Sequence, residues 1–91
     1  MFMPDFIRDL DEWIIWLLAE EFHGEATPEM IVQRSGYDEE QVLRSIGSLE
    51  RMKAVRVTRN VRQSTKIEKI GLVPEGRRIH AELAQRGSSR L

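Results

Sequence analysis

The sequence has no cysteine. That excludes a disulfide framework and any metal site built on thiolates. Only two histidines occur, His23 and His80, and neither sits in a His-Glu-x-x-His pattern. No apolar run approaches the roughly 20 residues that cross a bilayer. Trp13 to Ala19 is apolar but short, with acids on both sides. It also lacks the basic start and small-residue cleavage site of a signal peptide, so a cytoplasmic protein is expected. There is no phosphate-cradling glycine loop and no nucleophile elbow. Acidic pairs such as Glu20-Glu21 and Glu39-Glu40 are adjacent, which sends them to different parts of a helix surface. We therefore expect no catalytic residue, no cofactor and no metal.

What is present fits one compact domain. Ninety-one residues suit a single core, and a hydrophobic content of 41% is too high for a disordered chain. A domain this small gains from extra burial, which favours a homodimer. The net charge of −1 conceals a sharp division. Residues 1–50 carry three basic and twelve acidic side chains; residues 51–91 carry eleven basic and three acidic. Such asymmetry points to one surface made for a polyanion, or to two halves that neutralise each other within the fold.

Along the chain the periodicity predicts a helix over 4–22, a short helix over 28–35, a longer helix over 39–53, a wing over 54–73 and a last helix over 75–86. Pro4 and Asp5 suit the first turn of a helix. Phe6, Leu10, Trp13, Ile14, Leu17 and Leu18 recur at helical spacing, while Ile15 and Trp16 fall outside that stripe. That surplus, with Phe2 and Phe6, predicts a dimer interface formed by Phe2, Phe6, Ile15 and Trp16. Thr27-Pro28-Glu29 opens the second helix and Gly36 suits a left-handed cap at its end. Asp38 with Gln41 predicts a reciprocal cap on the third. Val42, Ile46 and Leu49 form its buried stripe, with Leu43 and Met52 beside them. Gln41, Arg44, Ser48 and Arg51 lie opposite. Val55 and Val57 begin a strand; Lys66 to Leu72 returns.

Short helix, glycine turn, amphipathic helix and strand hairpin, in that order, resemble the winged helix-turn-helix family, especially its MarR-like and PadR-like transcriptional regulators. Three stretches carry the likeness. Thr27-Pro28-Glu29 with Gly36 and Asp38 matches the opening of the helix-turn-helix. Leu49-Glu50-Arg51-Met52-Lys53-Ala54-Val55 resembles the step from recognition helix into wing, with Lys53 where the family usually has glycine. Leu72-Val73-Pro74-Glu75-Gly76-Arg77 resembles the step out of the wing, with Val73 where a capping threonine is usual. The resemblance implies an α+β winged-helix fold and a regulator that binds double-stranded DNA.

On that reading the third helix enters the major groove. Arg44 and Arg51 supply forks for guanine, Gln41 can read adenine, and Ser48 allows close approach. The wing supplies Arg59, Arg62, Gln63 and Lys66 for flanking backbone. Arg56, Arg59, Arg62 and Lys66 fall within eleven residues with no acid between them. The alternative is a winged-helix module for protein–protein interaction in a transcription or replication assembly. Its motive is the acidic opening Asp38-Glu39-Glu40, which sets carboxylates against phosphates.

Overall fold

A computed structural model describes residues 3–63 and 66–88. The order is α1 (Leu10–Glu20), β1 (Glu25–Ala26), α2 (Pro28–Ser35), α3 (Glu39–Arg51), β2 (Val55–Arg59), β3 (Ile67–Leu72) and α4 (Pro74–Ser88). The three strands form one antiparallel sheet in the order β1-β3-β2.

α1 begins at Leu10, not near Pro4. Residues Pro4 to Ile7 make a separate turn, the Ile7 N–H donating to the Pro4 carbonyl at 3.0 Å. The operative cap is Asp9, whose carboxylate accepts the Glu12 N–H at 2.9 Å, while Glu12 accepts the Arg8 N–H at 2.8 Å. This carboxylate pair satisfies orphan donors that Pro4-Asp5 leaves untouched. The other caps follow the sequence. Thr27 accepts the Met30 N–H at 3.2 Å, and Gly36 ends α2 in the left-handed region. Asp38 accepts the Gln41 N–H at 2.8 Å while the Gln41 carboxamide accepts the Asp38 N–H at 3.3 Å.

α1 is the central element. Trp13, Ile14, Ile15, Leu17 and Leu18 are all fully buried, packed among Ile31, Val42, Ile46, Leu49, Ile70 and Leu83. A helix that is apolar most of the way round is buried most of the way round. Ile15 therefore belongs to the core and cannot serve a dimer interface, contrary to expectation. The Trp13 indole N–H donates to the buried Ser35 carbonyl at 3.0 Å, tying α1 to the end of α2. Leu43 and Met52, expected beside the buried stripe of α3, are 37% and 51% exposed.

Two backbone features shape the wing. Lys53 joins α3 to β2 with φ of 62°, the left-handed conformation that favours glycine. Gly76 in α4 lies against the start of β2: a Cβ there would stand 2.1 Å from the Ala54 carbonyl oxygen. No other residue permits that approach.

Candidate nucleic-acid interface

The polar ridge of α3 is only partly the surface its sequence suggested. Gln41, Arg44, Ser48 and Arg51 do line one shallow groove of about 480 Å³. Its other wall is the start of α1, with Asp9 and Asp11, and Tyr37 from the turn before α3. Asp11 decides how this wall is used. Its carboxylate accepts the Ser48 hydroxyl at 3.0 Å and also accepts that of Ser45. Ser48 is thus a helix–helix contact, half-buried and directed at α1, rather than a residue open to a partner. Ser45, which the sequence reading overlooked, is 6% exposed and serves the same carboxylate.

Of the remaining ridge residues, Arg44 is solvated and forms an i,i+4 pair with Glu40 at 3.0 Å. Exposed pairs of this kind contribute only tenths of a kcal/mol, so this guanidinium can be drawn to a stronger anion. Arg51 is exposed and its Nη1 lies 3.7 Å from where a Gly47 Cβ would be. Gln41 is exposed, with its carboxamide oxygen committed to the cap described above.

The wing divides its cations. Arg59 folds back on α3 and donates to both oxygens of Glu50, at 2.8 Å each. The hydrogen bond from Arg59 holds the Glu50 carboxyl below the ordinary carboxylate range against the opposing effect of burial, and the charges of Arg59 and Arg51 add to it. Arg59 is therefore a brace between β2 and α3 rather than part of the tip. Arg62 and Gln63 remain exposed at the tip. Their backbone N–H groups donate to the Asn60 side-chain oxygen at 2.8 and 3.0 Å, which fixes the turn. Lys66 is exposed, but it lines a different groove, on the α2 side of α3, together with Glu29, Glu39 and Leu43. The expected DNA residues thus fall on two flanks of α3, one shared with Asp9 and Asp11 and one with Glu29 and Glu39.

Pairing between the two halves of the chain accounts for part of the charge asymmetry. Glu12 meets Arg86 at 2.9 Å, Glu25 meets Lys69 at 3.4 Å, Glu50 meets Arg59, and Glu20 meets His80 at 2.7 Å. Among the described residues, Arg56 and Arg62 form no ion pair with a carboxylate.

Of the expected dimer residues, Phe2 lies outside the described residues. Phe6 and Trp16 are half-buried and meet edge to face with ring centroids 5.1 Å apart. Trp16 also packs on His80 at 5.2 Å, and the Phe6 ring fills the space beside Gly87. Much of the expected surplus is consumed inside the domain. Among the described residues no helix is long and apolar enough to cross a membrane.

No protein-family model matches the chain, and no curated protein matches its sequence. Solved structures do match its fold. BpsR of Bordetella bronchiseptica, whose DNA binding is regulated by 6-hydroxynicotinic acid, superposes with a TM-score of 0.74 at 19% identity, over 96% of this chain and 64% of that one. The adhesin competence repressor AdcR of Streptococcus pyogenes gives 0.71 at 15% identity, over 92% and 60%. A MarR-family transcriptional regulator from Rhodococcus sp. RHA1 gives 0.72 at 21% identity, over 90% and 56%. The chain spans 56–64% of the length of these three proteins. At this identity the likeness is one of architecture, and it agrees with the element order and sheet described above: the chain folds as a winged helix-turn-helix domain of the kind found in MarR-family regulators.

Proposed function

We propose that the chain is a DNA-binding transcriptional regulator. α3 lies in the major groove with Arg44 and Arg51 toward the bases, and the wing tip sets Arg62 and Lys66 against flanking phosphates. The observation that carries this reading is the brace between Arg59 and Glu50. It ties the basic wing to α3, which supports a reading in which one duplex meets both, from the two flanks of that helix. Gln41 can add a donor at the helix start, and Gln63 one at the tip. Two copies would read a two-fold site about one helical turn apart, joined through what remains exposed of Phe6 and Trp16. Ser48 and Arg59 act on this reading as positioning residues.

A titration with mixed-sequence duplex DNA tests it. Binding at 50 mM salt should weaken steeply by 200 mM, since phosphate contacts release counterions. No binding at low salt would overturn the proposal. Arg62→Ala should weaken all sequences alike, whereas Arg44→Ala should cost roughly 1–3 kcal/mol of discrimination between sequences.

A second reading, a winged-helix protein–protein interaction module, is favoured by Glu29, Glu39 and Leu43 on the α2 flank of α3. Carboxylates and an exposed leucine suit a polypeptide better than a phosphate backbone.

A further inference from the structure

α3 carries a glycine that the domain does not need. Gly47 lies inside the helix, where glycine lowers the folding constant about fivefold relative to alanine. The other glycines have reasons within the fold. Gly24 and Gly36 have positive φ, Gly76 and Gly87 are pressed against the Ala54 carbonyl and the Phe6 ring, and Gly71 lies beside the Gly24 carbonyl and the Glu25 carboxylate. Gly47 has no such reason. Its φ is outside the left-handed region, and a Cβ there would meet only the Nη1 of Arg51, at 3.7 Å. That is ordinary van der Waals contact with the end of a flexible side chain. Alanine would fit the domain and strengthen the helix, so nothing within the fold accounts for glycine here.

The position of Gly47 indicates what does. Leu43, Arg44 and Arg51 stand three or four residues away and are its neighbours on the helix surface. All three are exposed, on the side of α3 away from the buried Val42, Ile46 and Leu49. Arg44 and Arg51 are seven residues apart, which is about two helical turns, or about three base-pair steps of a duplex. Gly47 is the gap between these two forks, where the helix backbone can come closest to a partner.

The gap offers shape and no hydrogen bond. In mid-helix the Gly47 N–H is bonded to the carbonyl four residues back, so it has no donor for a purine N7 or a thymine O4. The one base-edge group of the major groove that asks for contact without a hydrogen bond is the C5-methyl of thymine. Leu43 gives the gap an apolar side. We propose that Gly47 is a specificity-determining residue: its missing side chain admits a thymine methyl from a base pair between those met by Arg44 and Arg51. This inference rests on the DNA-binding reading and adds to it a base that the arginines do not read.

Two measurements on the full chain test it. Urea unfolding of Gly47→Ala should show a higher midpoint, with the folding constant raised about fivefold. Its affinity for the duplex that the wild type selects from a randomised pool should fall by roughly fivefold or more, because the added methyl overpacks the contact. Replacing the thymines of that duplex one at a time by deoxyuridine, which lacks only the methyl, should reveal a position where the wild type loses roughly fourfold. Gly47→Ala should bind that uracil duplex better than the thymine duplex, since its own methyl fills the space. A purely structural role would not raise stability and lower affinity together. Four results would each overturn the inference and leave the DNA reading standing: a lower unfolding midpoint, affinity equal to the wild type, no thymine at which deoxyuridine weakens binding, or a deoxyuridine loss that Gly47→Ala leaves unchanged. A wild type that binds no duplex at about 50 mM salt would overturn both.

Discussion

Arg59 and Glu50 meet through two parallel N–H···O contacts of 2.8 Å, joining the end of β2 to the last turns of α3. The fork is geometric as well as electrostatic, because a planar guanidinium fixes orientation where an ammonium does not. Its role follows from position: it spans the two elements that must address one duplex together. Arg59→Lys should therefore lower DNA affinity nearly as much as Arg59→Ala, with little change in melting temperature in either case. A comparison of duplex binding with thermal melts checks this. Full rescue by lysine would show that charge alone matters.

Asp11 binds α1 to α3 through Ser45 and Ser48. Ser45 is buried, so removing the acceptor leaves its hydroxyl stranded. Asp11→Ala should destabilise the domain by about 1–3 kcal/mol. Ser45→Ala alone should cost less, since Ser48 still serves the carboxylate. The double variant should recover part of the Asp11→Ala loss. Urea unfolding of the three variants forms a cycle that measures the coupling.

The elements read best from sequence were those whose ends are local chemistry. Thr27 and Gly36 bound α2, and Asp38 with Gln41 opens α3, because a cap is made within four residues of itself. The start of α1 was misplaced because two N-terminal signals compete, Pro4-Asp5 and Asp9 with Glu12, and only packing of the Phe6 turn against Trp16 and Gly87 separates them. β1 is two residues long and has no period to detect; it exists because Glu25 and Ala26 pair with Gly71 and Ile70.

Side-chain roles were less legible than elements. Ser48 is polar and opposite the apolar stripe, which points it outward, yet Asp11, 37 residues away in sequence, supplies its partner. Ile15 lies off the main stripe, and the sequence leaves open whether that second apolar side meets another copy or the domain itself; α1 packs against α2, α3, α4 and β3 at once, which buries it within the domain. Arg59 carried no local sign of its partner, nine residues away across the turn at Lys53. In each case the decisive contact is tertiary.

The turn at Lys53 gives a prediction of opposite sign from most substitutions. A non-glycine residue in the left-handed region costs about 1–2 kcal/mol. Glycine there loses about 0.5–1 kcal/mol more chain entropy on folding, so strain relief should win by a few tenths to about 1 kcal/mol. Lys53→Gly should stabilise the domain. Gly76→Ala should do the reverse by about 1–3 kcal/mol, because its methyl would overlap the Ala54 carbonyl. Paired denaturation curves check both.

The acid limb of stability should trace to three carboxylates. Burial pushes the Glu12 carboxyl up, but its hydrogen bonds from Arg86 and from the Arg8 N–H, with both arginine charges, outweigh that and hold it below its ordinary value. The Arg59 hydrogen bond lowers Glu50 and the Arg78 hydrogen bond lowers Glu75. A group whose folded pKa lies below its unfolded value binds fewer protons when folded, so its contribution is complete above the unfolded value, about 4.3 for glutamate, and is lost as pH falls through the lower folded value. The melting temperature should therefore be flat with respect to these three groups from about pH 5 to 7 and fall below about pH 4. Glu12 is the least exposed of them, at 20% for its side chain against 36% for Glu50 and 42% for Glu75, so solvent screens its pair least. Glu12→Gln should flatten the acid limb more than Glu75→Gln. Melting curves at half-unit pH steps from 3 to 7 decide the order, and an acid limb unchanged by Glu12→Gln would place the sensitivity elsewhere.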